Sequence, residues 1–258
     1  MNIIETEVSI RTTDGTADGF LYTPTIDGQP SGGKRADDRW PGTIHLTDMG
    51  GIRESHREMA KQLASEGYVV LLPNVFYRVG KAPFFRWPIK MDDEQTMRRL
   101  NELRDALPPE AMVADGKAYV DFLAKQASVS SGGMGVAGYC FTGAMAVRIA
   151  ASRPDKIAAA ASFHVGRLYT DDPASPHTLL PRVKARLYFG HAIEDRGMPK
   201  EAIENLEREL ASWGGKYESE TYQGAHHGWA VPDSPSYNRP QAERAFEKLT
   251  ELLRATLK

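Results

Sequence analysis

Three residue types that together can activate a nucleophile occur in a consistent order along this chain. Cys140 lies in Gly138-Tyr139-Cys140-Phe141-Thr142-Gly143, Asp195 follows His191 and Glu194, and His227 lies in Gly224-Ala225-His226-His227-Gly228-Trp229. A thiol needs a base to take or share its proton, and the base needs a carboxylate to fix its tautomer and stabilise the imidazolium. Cys140 is the candidate nucleophile, Asp195 the candidate acid with Glu194 as its alternative, and His227 the candidate base with His226 as its alternative. Each has a plainer reading. A lone Cys in an apolar Gly/Ala-rich run is usually a small buried hydrophobe, and an Asp after a strand is usually a turn or cap residue.

Position decides between these readings. Met134 to Tyr139 is small and apolar and reads as a buried strand, and Thr142 onward opens a helix on small residues. A nucleophile on so sharp a turn needs glycine on either side, because neighbouring backbone passes too close for a Cβ. There the helix dipole favours a thiolate, and the Phe141 N–H can face a developing oxyanion.

The remaining chain supplies the frame. Residues 1–24 alternate like a hairpin, with Asp14-Gly15 and Asp18-Gly19 at its turn. Thr25 to Trp40 reads as a solvated loop without function. Gly42 to Thr47 and Tyr68 to Pro73 read as buried strands around a helix carrying Met59 and Leu63, a rhythm that gives a parallel sheet. Asn74 to Lys90 is aromatic and proline-bearing, and is expected to wall a pocket at the strand ends. Helices are expected near 92–104 and 109–126, then at Ile203 to Trp213 and Phe246 to Leu257. Strands are expected at Ile157 to Phe163, running into His164, at 185–190 and at 216–222. Cys140, Asp195 and His227 each fall just after a strand, in the order of the α/β-hydrolases. With no repeat or linker, the expectation is one α/β-hydrolase domain over 1–258, a mostly parallel twisted sheet with helices on both faces.

Composition excludes several function classes. Lys+Arg 32 against Asp+Glu 34 leaves no electrostatic footprint for nucleic acid or an anionic membrane. One cysteine permits no internal disulfide and no Cys-based zinc cluster, so nothing argues for an oxidising compartment. The N-terminal residues show no basic n-region or apolar h-region, and no segment has the length of a membrane span. A soluble, cytoplasmic protein is expected. No metal or cofactor is expected, because adjacent His226 and His227 do not share one face of an element and chelate poorly.

Gly138 to Gly143, the Asp195 loop and His227-Gly228-Trp229-Ala230 together resemble the dienelactone hydrolase family, the Cys-nucleophile branch of the α/β-hydrolases. The resemblance runs from about residue 5 to the C-terminal helix. It implies hydrolysis of ester, lactone or related carbonyl bonds through an acyl-enzyme, with His227 as base, Asp195 as acid and His226 as a neighbour behind the site. It also implies that Asp48 takes the place of a family carboxylate, normally Glu, that holds the cysteine's proton before substrate arrives. The Met49 and Phe141 N–H groups would then form the oxyanion hole.

Two departures bear on substrate. An arginine that follows the family's histidine falls at or near Val231 here, and an upstream arginine falls at Arg98 or Arg99. Without both, the expected substrate is neutral or aromatic rather than a small anionic dienelactone. Its pocket would draw on Phe84, Phe85, Trp87, His164 and Trp229. The expected partner is a small-molecule ester or lactone, with no nucleic acid or membrane, on a monomer or homodimer. The departures at Asp48 and Val231 also admit a ligand-binding or regulatory protein that keeps the fold without turnover.

Overall fold

The computed structural model describes residues 1–26, 29–30, 39–87, 89 and 92–257. Its strands are β1 (Ile3–Arg11), β2 (Thr16–Ile26), β3 (Gln29–Pro30), β4 (Gly42–His45), β5 (Val69–Pro73), β6 (Met134–Tyr139), β7 (Ile157–Phe163), β8 (Arg186–Ala192) and β9 (Tyr217–Tyr222). They join in the order β1-β2-β5-β4-β6-β7-β8-β9, with β3 paired to β2. From β5 to β9 every neighbouring pair is parallel, while β1 and β2 form an antiparallel hairpin joined antiparallel to β5.

The helices are α1 (Glu54–Ser65), α2 (Glu94–Asp105), α3 (Pro109–Ala124), α4 (Thr142–Ser152), α5 (Lys200–Trp213) and α6 (Arg239–Leu257). Strand β5 shows why the sheet needs cover on both faces. Val69 and Leu71 join one core with Tyr119, Val120 and Leu123 of α3, Met145 and Ile149 of α4, and Leu206 and Leu210 of α5. Val70 and Leu72 join the other, with Leu63 of α1 and Leu249 and Leu253 of α6. Successive strand residues point to opposite faces, so a strand apolar at every position is buried on both. The short central strands thus end together at one rim, where the elbow and the loops after β8 and β9 meet.

One expectation about the hairpin changes. Asp18-Gly19 is not a turn: both residues lie in β2, opposite Ser9 and Val8. A Cβ on Gly19 would stand 2.5 Å from the Leu72 carbonyl oxygen of β5, so glycine is there for close strand approach. The turn is the Thr12–Gly15 segment, closed by the Thr12 N–H on the Gly15 oxygen at 2.9 Å. Of the loop expected from Thr25 to Trp40, residues 27–28 and 31–38 lie outside the described residues, as do Pro88 and Lys90 of the aromatic segment. Trp40 makes a parallel bridge to Val129.

Candidate active site

Strand β6 delivers Cys140 to the rim, and α4 begins two residues later. Cys140 has φ 54, in the left-handed region that side chains rarely enter. Backbone bonds hold it there: the Cys140 N–H donates to the Phe163 oxygen at 3.0 Å, and the Gly143 N–H to the Cys140 oxygen at 3.1 Å. The Thr142 hydroxyl accepts from the Tyr139 N–H and donates to the Tyr139 oxygen, both at 3.1 Å. The flanking glycines are a packing requirement. A Cβ on Gly138 would run into the Thr142 carbonyl, and one on Gly143 would stand 2.6 Å from Val165 Cβ.

Cys140, His227 and Asp195 form one row. His227 Nε2 is 3.0 Å from Cys140 Sγ, and His227 Nδ1 is 2.6 Å from Asp195 Oδ2. Asp195 Oδ1 accepts the Gly197 N–H at 2.8 Å, so the loop after β8 aims the carboxylate. The Asp195 side chain is 6% exposed and that of His227 40%. Burial alone would pull His227 down, but its bonds to Asp195 and Cys140 prevail and push it up to about 10. Burial would raise Asp195, yet His227 and the Gly197 N–H hold it below the usual carboxylate range. Of the alternatives, Glu194 and His226 are both exposed. The Phe141 and Met49 N–H groups carry no protein acceptor among the described residues.

Asp48 has different partners from those expected of it. Arg53 Nη1 and Nη2 donate to its two oxygens at 2.7 and 2.8 Å, and the Gly50 N–H donates to Oδ1 at 2.8 Å. Its carboxylate is thus committed to Arg53, and the thiol finds its partner in His227. Burial would raise Asp48, but His56 and Arg53 hold it well below the usual range. His56 Nε2 lies 3.2 Å from the Asp48 backbone N and 3.5 Å from Asp48 Oδ2, and His56 Nδ1 is 3.0 Å from His45 Nε2. Arg53 also binds Asp233 and lies 4.0 Å over the Trp87 ring. Arg53, Asp233 and His56 carry no motif, and their distance along the chain from the elbow hid them.

The expected pocket residues divide. Trp87 packs on the Gly50 turn and Phe84 on Gly51, where Phe84 is 8% exposed. Phe85 is half-buried, and with Phe84, Arg98 and Arg99 it lines a separate cavity of about 1050 Å³. His164 and Trp229 are 1% and 0% exposed, so they lie inside the protein and present no surface to a bound molecule. His164 has φ 41 and sits edge-on to His227, with ring centres 5.3 Å apart. Burial holds it neutral, down to about 3, and the charge of His227 adds to this. Val231 is fully buried, and Arg98 and Arg99 pair with Glu94 and Glu102. Among the described residues no three His, Cys, Asp or Glu side chains gather as a metal site would need, and no helix is long and apolar enough to cross a membrane.

A mostly parallel sheet with Cys140 on the turn after β6, Asp195 after β8 and His227 after β9 defines an α/β-hydrolase fold. Within that class the family is also fixed. The model of the dienelactone hydrolase family matches residues 27–257, and the chain belongs to this family. A Synechocystis protein provisionally named a carboxymethylenebutenolidase is 26% identical over 243 residues, covering 93% of this chain and 92% of the relative. The carboxymethylenebutenolidase of Rhodococcus opacus is 29% identical over 206 residues, covering 75% and 73%. A solved structure from Klebsiella pneumoniae, provisionally named a dienelactone hydrolase, superposes with a TM-score of 0.83 at 20% identity, covering 98% and 99%. That last likeness bears on the fold.

Proposed function

We propose that the chain hydrolyses ester or lactone bonds through an acyl-enzyme, with Cys140 as nucleophile, His227 as general base and acid, and Asp195 as the residue that orients His227. The observation that carries this is the row Cys140 Sγ, His227 Nε2, His227 Nδ1, Asp195 Oδ2, with separations of 3.0 and 2.6 Å across the pairs. Family membership supplies the reaction class.

In this reading the sulfur attacks the carbonyl carbon while His227 Nε2 holds the thiol proton. The oxyanion that forms faces the Phe141 and Met49 N–H groups. Its collapse breaks the C–O bond, and the departing alkoxide takes the proton from His227, leaving a thioester. In a lactone the alcohol stays tethered to the acyl group. Water then attacks the thioester, gives a proton to His227 and releases the acid as the C–S bond breaks. Trp87, packed on the Gly50 turn, supplies an aromatic wall. Arg53 offers no free N–H at this end, so the reacting part of the substrate is neutral.

Turnover of p-nitrophenyl acetate and a panel of lactones by wild type and Cys140→Ala tests the reading. Loss of roughly a thousandfold or more in kcat/KM is expected for removal of a nucleophile. Retained turnover in Cys140→Ala would contradict it.

A further inference from the structure

The elbow helix carries a buried cation that the proposed chemistry does not use. Arg148 of α4 is 8% exposed, its Nε is buried without a partner, and its Nη2 donates to the Ala174 carbonyl oxygen. It pairs with no carboxylate among the described residues. Burial lowers its pKa, and Asp172 and Glu110 oppose this only through space. Leaving a guanidinium out of water without a counter-charge is costly, so such a residue calls for an anion.

Beside it is a cavity of about 240 Å³. Phe141, Ala144 and Arg148 form one wall of it. Their spacing puts them on a single face of α4, so the wall starts at the residue after Cys140 and ends at Arg148. Arg104, which also contacts Asp105, and Arg167 line it as well, and Asp172 is the one carboxylate among the lining residues. Asp172 Oδ1 already accepts the Ala174 N–H at 2.8 Å. Arg167 is exposed and held at φ 61, with its N–H on the Gly197 oxygen at 2.6 Å.

We propose that this cavity is an anion subsite continuous with the Cys140 site, in which Arg148 and Arg167 bind an oxyanion on the distal end of the substrate. The proposal rests on the hydrolase reading given above. At 1.5 Å rise per residue, seven residues of α4 separate Phe141 from Arg148 by about 10 Å. The substrate class is therefore an ester or lactone that is neutral at the reacting carbonyl and carries a carboxylate or phosphate about 10 Å away, by the same helical rise. Guanidinium groups suit either oxyanion through charge-assisted hydrogen bonds.

Calorimetric titration of the full-length protein with suberate and with inorganic phosphate, at low salt, tests the subsite directly. Binding of suberate alone assigns a carboxylate end, binding of phosphate alone a phosphate end, and binding of both a general oxyanion site. Each result requires affinity to fall about tenfold or more in Arg148→Gln and in Arg167→Gln, as expected for charged hydrogen bonds. Arg167 is exposed, so its variant answers the question even if Arg148→Gln does not fold. Binding of neither anion, or equal binding by both variants, would overturn the proposal.

The kinetic counterpart compares p-nitrophenyl hydrogen suberate with its methyl ester. The ratio of their kcat/KM values is expected to fall about tenfold in both variants, and to stay the same in Arg208→Gln, an exposed arginine on α5. Anion binding without turnover of either ester would refute the hydrolase reading and spare the cavity. Turnover with an unmoved ratio would do the reverse.

Discussion

Arg53 closes on Asp48 with two hydrogen bonds of 2.7 and 2.8 Å and on Asp233 with two more of 2.7 and 2.8 Å. Its remaining N–H donates to the Gly51 oxygen at 3.2 Å, so all five donors of the guanidinium are in use. This clamp fixes the Asp48–Gly51 turn against the loop after β9 and leaves no cation there for a substrate. Its members differ in burial: the Asp48 side chain is 16% exposed and that of Asp233 33%. Asp48→Ala is predicted to cost about 2 kcal/mol in urea unfolding, because it removes the more buried of the two carboxylates on Arg53 and leaves the Gly50 N–H without its acceptor. Asp233→Ala is predicted to cost about 1 kcal/mol, since its pair is closer to a surface one. Equal costs would contradict the clamp.

The same carboxylate sets an acid dependence. Asp48 is held well below the usual carboxylate range in the native protein. Below a pH of about 4 the unfolded chain therefore binds a proton there that the native protein does not. Its stabilisation is present above that value and is lost as pH falls toward the depressed native pKa. The urea midpoint of wild type should fall more steeply below that pH than the midpoint of Asp48→Asn. Parallel curves would assign the acid sensitivity to other groups.

For His227 the sign is opposite, because its native pKa is raised to about 10. Its contribution to stability is complete below a pH of about 6.5 and is lost as pH rises through about 10. In the same window the His227 ring stands 3.0 Å from the sulfur, within reach of its proton. Iodoacetamide labelling of Cys140 at neutral pH is expected to slow about tenfold or more in His227→Gln. Since Cys140 is the single cysteine, the label reports on one site. An unchanged rate would mean that the histidine does not activate the thiol.

Asp195→Asn keeps the shape of the row while removing the charge that orders the imidazole. A loss of about a hundredfold to ten-thousandfold in kcat is expected, with the urea midpoint little changed. A drop in stability that matched the drop in activity would make Asp195 a structural residue.

Gly138→Ala tests the packing of the elbow. The added Cβ would meet the Thr142 carbonyl, which is backbone and cannot turn aside. A loss of about 2 kcal/mol or more is expected, with turnover lost alongside, since the turn that aims Cys140 must open. Gly132→Ala is the comparison, because a Cβ at Gly132 meets nothing within 4 Å. Equal losses in the two variants would contradict the packing account.

The sheet was legible in the sequence because its central strands are short apolar runs ended by glycine or a turn, and such runs have one stable use, burial on both faces. The row Cys140, Asp195, His227 was legible from order and strand-end placement. The family resemblance favoured Asp195 over Glu194 as the acid, and the fold buries the first and exposes the second. Other features depend on tertiary neighbours that no local pattern records. Gly19 reads as a turn until β5 is seen beside it. Arg53 and Asp233 are 180 residues apart. His164 and Trp229 have the ring chemistry of pocket residues, and only packing shows that they lie beneath the site.

The central claim is that Cys140 carries the acyl group. The direct measurement is rapid acid quench of the protein turning over p-nitrophenyl acetate, followed by intact mass and peptide mapping. The account predicts an acetyl adduct on the peptide bearing Cys140 that disappears when substrate is exhausted. Turnover with no adduct, or with the adduct on another residue, would contradict it.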